Sequence, residues 1–201
     1  MTHVARLTLV SLSLLLGCAR PLTTPIQSPP RSRPIAVFPP NNRTGDDLLV
    51  AGASFLEKYA LKSDRVTVPD VLASEARLQL ARQGYVVVPP ETVDAAVGDH
   101  PPTSGDEAAA IAARHQIEGN VLYIDVRRWE PDVPFKPTFI IASIEVSMID
   151  PSTGTVVWQI DRPSRPVPTN GVINIGDAYT IAARKLMEEL LTSLGPEQPE
   201  R

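Results

Sequence analysis

Two carboxylates, Asp125 and Glu145, and two tryptophans, Trp129 and Trp158, are the residues of this 201-residue chain best placed for shared chemistry. Asp125 lies in a stretch from Asn120 to Trp129, and Glu145 in one from Phe139 to Ile149, both with strand character. On neighbouring strands the two carboxyls could approach as the acid and base of a glycosidase. The tryptophans, at strand ends, could offer flat apolar surfaces to a sugar ring. Each pattern has a plainer explanation. Acids that alternate with apolar residues also mark an ordinary solvated sheet face, and aromatics at strand ends more often pack into the core. Other catalytic signatures are missing. His100 sits in a proline-flanked loop, and His115 falls near a helix end, where it would complement the C-terminal dipole. Neither belongs to a His-Glu-x-x-His pattern, no Gly-x-Ser-x-Gly elbow occurs, and Gly45 and Gly52 lack the companions of a phosphate loop. The polar run Asn41, Asn42, Arg43 and Asp46 follows a strand end, and is the best candidate for contact with a partner.

A different chemistry is written at the amino terminus. Cys18 is the single cysteine, which excludes an intrachain disulfide and a thiolate metal site. Ahead of it, Arg6 precedes an apolar run from Leu7 to Leu16, the length of a signal-peptide core and short of the ~20 residues that span a bilayer. Leu15-Leu16-Gly17-Cys18 resembles a bacterial lipobox. That resemblance implies a diacylglycerol on the Cys18 thiol, cleavage between Gly17 and Cys18, and acylation of the freed amine. Two or more acyl chains make anchoring stable, at about 0.8 kcal/mol per buried methylene. Ala19 follows, rather than the Asp that resembles an inner-membrane retention signal. The expected location is therefore the outer membrane on its periplasmic side, with the covalent lipid and no other cofactor.

Composition agrees with one envelope domain. The net charge is −4, and it becomes one unit more acidic if Arg6 leaves with residues 1–17. There is no basic stripe of the kind nucleic acid requires. Proline, at 21 residues, is about twice its usual share and marks the connections. Residues 18–34 read as a proline-rich, extended tether, residues 35–195 as a single α+β domain, and residues 196–201 as a polar tail.

Within the domain, Ile35-Ala36-Val37-Phe38 reads as a buried strand closed by Pro39 and Pro40. Phe55, Leu56 and Tyr59 have helical spacing. Val68, Leu72, Ala76 and Leu80 define a helix that Pro69 opens and Gly84 stops. Tyr85–Val88 reads as a second buried strand, and residues 89–103 as loop. Ser104 and Glu107 have capping-box spacing for an alanine-rich helix to about His115. In the strand from Phe139, the residues Ile140, Ala142, Ile144, Val146 and Met148 share one face, while Ser143, Glu145 and Ser147 share the other. Asp150–Gly154 is turn chemistry leading to a short partner, Val156–Ile160. A proline-rich loop follows, and Tyr179, Ala182, Leu186 and Leu190 stripe a last helix that Gly195 and Pro196 stop. The order predicts a mostly antiparallel mixed sheet with helices packed on it.

Four motifs in this order are similar to those of a family of bacterial lipoproteins typified by a meningococcal surface-antigen lipoprotein. They are Pro39-Pro40-Asn41-Asn42-Arg43, Gly84 through Pro89, Leu122-Tyr123-Ile124 through Trp129, and Asp150 through Trp158. The layout also resembles the amino-terminal domain of TolB, the periplasmic part of the curli secretion lipoprotein and the lipoprotein activator of penicillin-binding proteins. The resemblance covers residues 33–194 and implies a fold and a compartment. It stops short of a TolB propeller, and no pair of long alternating strands suggests a curli-type pore. Two functions remain open on the sequence. One is a non-catalytic envelope lipoprotein that docks other envelope proteins or forms a homo-oligomer. The other is a periplasmic hydrolase or carbohydrate-binding protein using Asp125, Glu145, Trp129 and Trp158.

Overall fold

In the computed structural model, residues 29–51, 65–170, 172 and 174–194 are described. Gly17, Cys18 and the helical spacing at Phe55–Tyr59 lie outside them. The core is a five-stranded mixed sheet in the order β1-β5-β6-β7, with β2 also on β5. The strands are β1 (Ile35–Val37), β2 (Asn41–Asn42), β5 (Asn120–Pro131), β6 (Phe139–Asp150) and β7 (Thr155–Pro168). β1 and β2 run parallel to β5, and β5-β6-β7 are antiparallel, so the predicted mostly antiparallel α+β domain is what the chain forms. β1 and β2 are in effect one strand interrupted at Pro39-Pro40, where no backbone N–H is available for the ladder. The bonds resume at once on either side, from the Phe38 amide to the Leu122 carbonyl and from the Arg43 amide to that of Val126. A separate antiparallel ribbon joins β3 (Leu49–Ala51) to β4 (Val66–Thr67).

One sheet face is fully covered. The apolar faces of β5 and β6 meet α1 (Val68–Arg82) and α4 (Ile175–Thr192) in the larger core, which contains the predicted stripes Leu72-Ala76-Leu80 and Ala182-Leu186-Leu190. Both helices are capped as their sequences suggest. Thr67 and Asp70 form a capping box on α1, and Asn174 accepts from the Asp177 amide on α4.

The other face is covered only in part. There α2 (Pro90–Val97) and α3 (Gly105–Arg114) pack Val93, Ala108, Ile111 and Ala112 against Ala36, Phe38, Val121 and Ile149. Helix α2 lies in residues expected to be loop. Pro90 at the first helical position, Glu91 in the first turn and the Val93 contact outweigh the polar composition. At α3, Ser104 accepts from the Glu107 amide, but the Glu107 carboxylate reaches back to the amide and hydroxyl of Thr103. The capping box is thus offset by one residue, and the Thr103 amide holds the Glu107 carboxyl below the usual range.

Two more expectations are corrected. Tyr85–Val88 makes only one parallel bridge, Val87 to Ile35, and Val86 is 56% exposed. β7 does not end at Ile160. It continues through Pro163, Pro166 and Pro168 as a 14-residue strand, because it is an edge whose outward positions need no N–H. No helix among the described residues is long and apolar enough to cross a membrane.

Candidate interaction site on the open half of the sheet

Beyond the N-terminus of α3, the second sheet face is open, and it forms a concave site of about 300 Å³. Its floor is a row of carboxylates set by strand register. Asp125 on β5 pairs directly with Glu145 on β6, which pairs with Asp161 on β7. Three like charges abreast would repel. The cation that holds them is Arg127, and a backbone irregularity puts it there. Val126 pairs with Ile144 and Arg128 with Ser143, leaving Arg127 as the extra residue of a β-bulge. From that position its guanidinium reaches Asp125 at 3.3 Å, Asp161 at 3.2 Å and the Glu145 carboxylate. Gln159 adds a 2.6 Å bond to Glu145.

The bulge also decides the fate of Trp129, and β7 turns Trp158 to the same face. The bulge returns Trp129 to the covered face, in phase with Leu122, Ile124 and Val126, where it is 1% exposed and meets Tyr179 edge-on at a centroid distance of 6.2 Å. Trp158 is 5% exposed on the same face. Neither can stack on a ligand, which removes the proposed platform. Asp125 and Glu145 do come together as expected, but a guanidinium stands between them and takes up their lone pairs. This is a structural ion-pair network, without the free acid and separate base that glycoside cleavage needs.

The polar run after β1 borders the site in three different ways. Asn41, expected in a loop, lies on β2, and its amide nitrogen donates to Asp125 at 3.1 Å and to the Thr103 carbonyl at 3.2 Å. Asn42 turns into its own loop. It accepts from the Thr44 amide and hydroxyl and donates to the Asp46 carbonyl, so its side chain shapes the turn. Arg43 is exposed at the rim, 3.3 Å from Asp125, and Asp46 is also exposed. Of the four candidates, Arg43 and Asp46 are exposed, Asn42 holds the Asp46 carbonyl, and Asn41 is tied to Asp125 and Thr103.

Ser104, Gly105, Asp106 and Tyr123 close the other side. A Cβ at Gly105 would stand 2.6 Å from the Ile149 Cδ1, so glycine lets α3 approach the sheet closely. Burial pushes the Tyr123 phenol far above its ordinary value, and its hydroxyl donates to the Pro102 carbonyl. Arg127, Asp161 and Gln159 were not singled out from the sequence. The signal was present in Arg127-Arg128, two adjacent charges inside an alternating strand, which period-two geometry cannot place on one face without a bulge. His100 and His115 are exposed and outside this site, and no cluster of metal-ligating side chains occurs among the described residues.

No protein-family model and no curated protein matches the chain. Solved structures do. PelC from Paraburkholderia phytofirmans, solved as a dodecamer, is similar over 85% of this chain and 93% of its own, at 18% identity and a TM-score of 0.52. The lipoprotein GNA1162 from Neisseria meningitidis is similar over 81% of this chain and 94% of its own, at 22% identity and a TM-score of 0.46. The likeness to PelC is one of fold, a single domain with a mixed sheet and helices on both faces.

Proposed function

We propose that this protein is a lipid-anchored, non-catalytic docking module of the bacterial cell envelope. In this reading it is held at the outer membrane through Cys18, faces the periplasm, and binds envelope proteins or further copies of itself. The observation that carries it is the open half of the sheet. A rigid, charged concavity is built from strand register and a bulge, and all its carboxylates on the sheet are engaged by arginine or amide groups. Such a surface is preorganised for recognition, its floor carboxylates being tied to Arg127, Asn41 and Gln159. The Gly17-Cys18 motif and the proline-rich stretch after it support the compartment.

The test has two parts. Intact mass of the membrane-bound protein should show a chain beginning at Cys18 with a diacylglycerol or triacyl adduct, absent in Cys18→Ala. A photoreactive group at position 43 should join a distinct envelope protein, and the adduct should disappear with Asp161→Lys yet persist with Glu91→Lys on α2. An unlipidated, freely soluble wild type overturns the anchor. Loss of a turnover activity in Asp125→Asn or Glu145→Gln, with the fold intact, would return the hydrolase reading.

A further inference from the structure

Away from the charged site, the chain carries an apolar knob and an apolar groove at opposite ends of β5. The knob is the loop 132–138, where Phe135 is 86% and Val133 43% exposed. A single exposed aromatic is ordinary on a protein surface; what sets this one apart is that the loop holds it there, beside half-exposed Val133. Asp132 closes the base of the loop, accepting from the Thr138 amide at 3.0 Å and from its hydroxyl at 2.6 Å. Buried Thr169, after β7, clamps the loop from the other side, with its hydroxyl donating to the Pro137 carbonyl and its amide to that of Thr138. Pro134 and Pro137 stiffen the loop, and Lys136 between them takes a left-handed backbone at φ 54°. The display of Phe135 is therefore preorganised, and little ordering entropy remains to oppose a contact.

The groove lies at the start of β5, roughly 35 Å away at strand rise. It measures about 420 Å³; Pro34, Val86–Val88, Pro89 and Ile117 form its apolar part, and Thr92, His115, Gln116 and Glu118 its polar part. This is ample room for one aromatic ring and its flanking residues. Exposed Val86 shows the groove open, and neither Glu118 nor Lys136 has an ion pair among the described residues. We propose that Phe135 of one copy seats in the Val86–Ile117 groove of the next, with Lys136 beside Glu118, so that the protein assembles head to tail. Because knob and groove are different surfaces at opposite ends, the contact is heterologous. It builds a ring if the rotation closes and a filament if it does not. The proposal takes self-association from the function above but makes no use of the charged site.

Thiol crosslinking in membranes tests it with the full chain. Val86→Cys and Phe135→Cys together should give a ladder of dimer, trimer and higher bands, with a crosslinked peptide joining positions 86 and 135. Either variant alone should not. In sedimentation of detergent-solubilised protein, Phe135→Ser should weaken association by about thirtyfold. Lys136→Glu should weaken it by roughly fivefold, and adding Glu118→Lys should restore it. A 135–135 dimer without a ladder overturns the head-to-tail contact, as does a monomer throughout or a bond from position 135 to a different protein. None of these results alters the photocrosslink at position 43, so the two readings fail separately.

Discussion

At the residue scale, single side chains hold together pieces that the backbone alone would leave apart. Arg127 is the clearest, since it alone reaches all three acids of the row. Arg127→Met keeps the length of the stem and removes the charge. It is expected to cost about 1 kcal/mol in urea unfolding at low salt, and less as salt screens the repulsion. A loss independent of salt would mean that the side chain serves only as packing. Asp150 is a second case. The Arg33 guanidinium grips it in a two-point contact at 2.8 and 2.9 Å, and the Ser152 hydroxyl and amide add to it. Together they hold its carboxyl at about 2. An unfolded Asp titrates near 4, so the clamp stabilises fully above about pH 4 and is lost as pH falls toward 2. The melting-temperature gap between wild type and Asp150→Asn should be constant at neutral pH and close over that acid window.

At the element scale, what matters is how closely pieces approach. Gly119 leads into β5 at φ 99°, and a Cβ there would stand 2.0 Å from the Pro34 carbonyl oxygen. Backbone cannot move aside without breaking the Asn120 amide bond to the same oxygen. Gly119→Ala should therefore cost about 3 kcal/mol or more, measured by chemical denaturation. Trp129→Ala removes the largest side chain of the core and should cost about 3–5 kcal/mol. Any loss of partner binding in that variant should track the unfolded fraction, because the ring touches no open surface. The edges of the sheet are also managed. β7 carries register shifts between Val156 and Trp158 and between Arg162 and Arg165, and three prolines in its second half, features that discourage edge-to-edge pairing. The opposite edge is a single bridge at Val87. Association through side-chain surfaces suits such a sheet better than strand addition.

At the scale of the molecule, the surfaces are segregated. The face under α1 and α4 is entirely core, the open half of the opposite face is charged, and the apolar knob and groove occupy the two ends. Arg33 and Pro34 enter at the groove end, beside Asn120 and Asp150. A chain anchored through Cys18 would thus present the Phe135 end at the far side of the domain. Hydrogen exchange in the assembled protein should slow at residues 132–138 and 86–88 together. Slowing at only one of these segments would exclude their mutual contact.

How much of this was legible in one dimension follows from the range of the forces involved. Periodicity and caps depend on neighbours within a few residues, so the helices at Val68–Arg82, Gly105–Arg114 and Ile175–Thr192, the alternation of β6 and the α+β class could be read directly. The lipobox-like spacing at Gly17-Cys18 is equally local, and it lies outside the described residues. The tertiary structure decided everything that depends on register and coverage. Helix α2 exists because Val93 finds a core, and the second half of β7 is strand because its prolines face outward at an edge. A bulge of one residue at Arg127 turned Trp129 into core and the carboxylates into a locked row. One residue inserted in a strand reverses every side chain after it, and only the partner strand shows where the insertion falls.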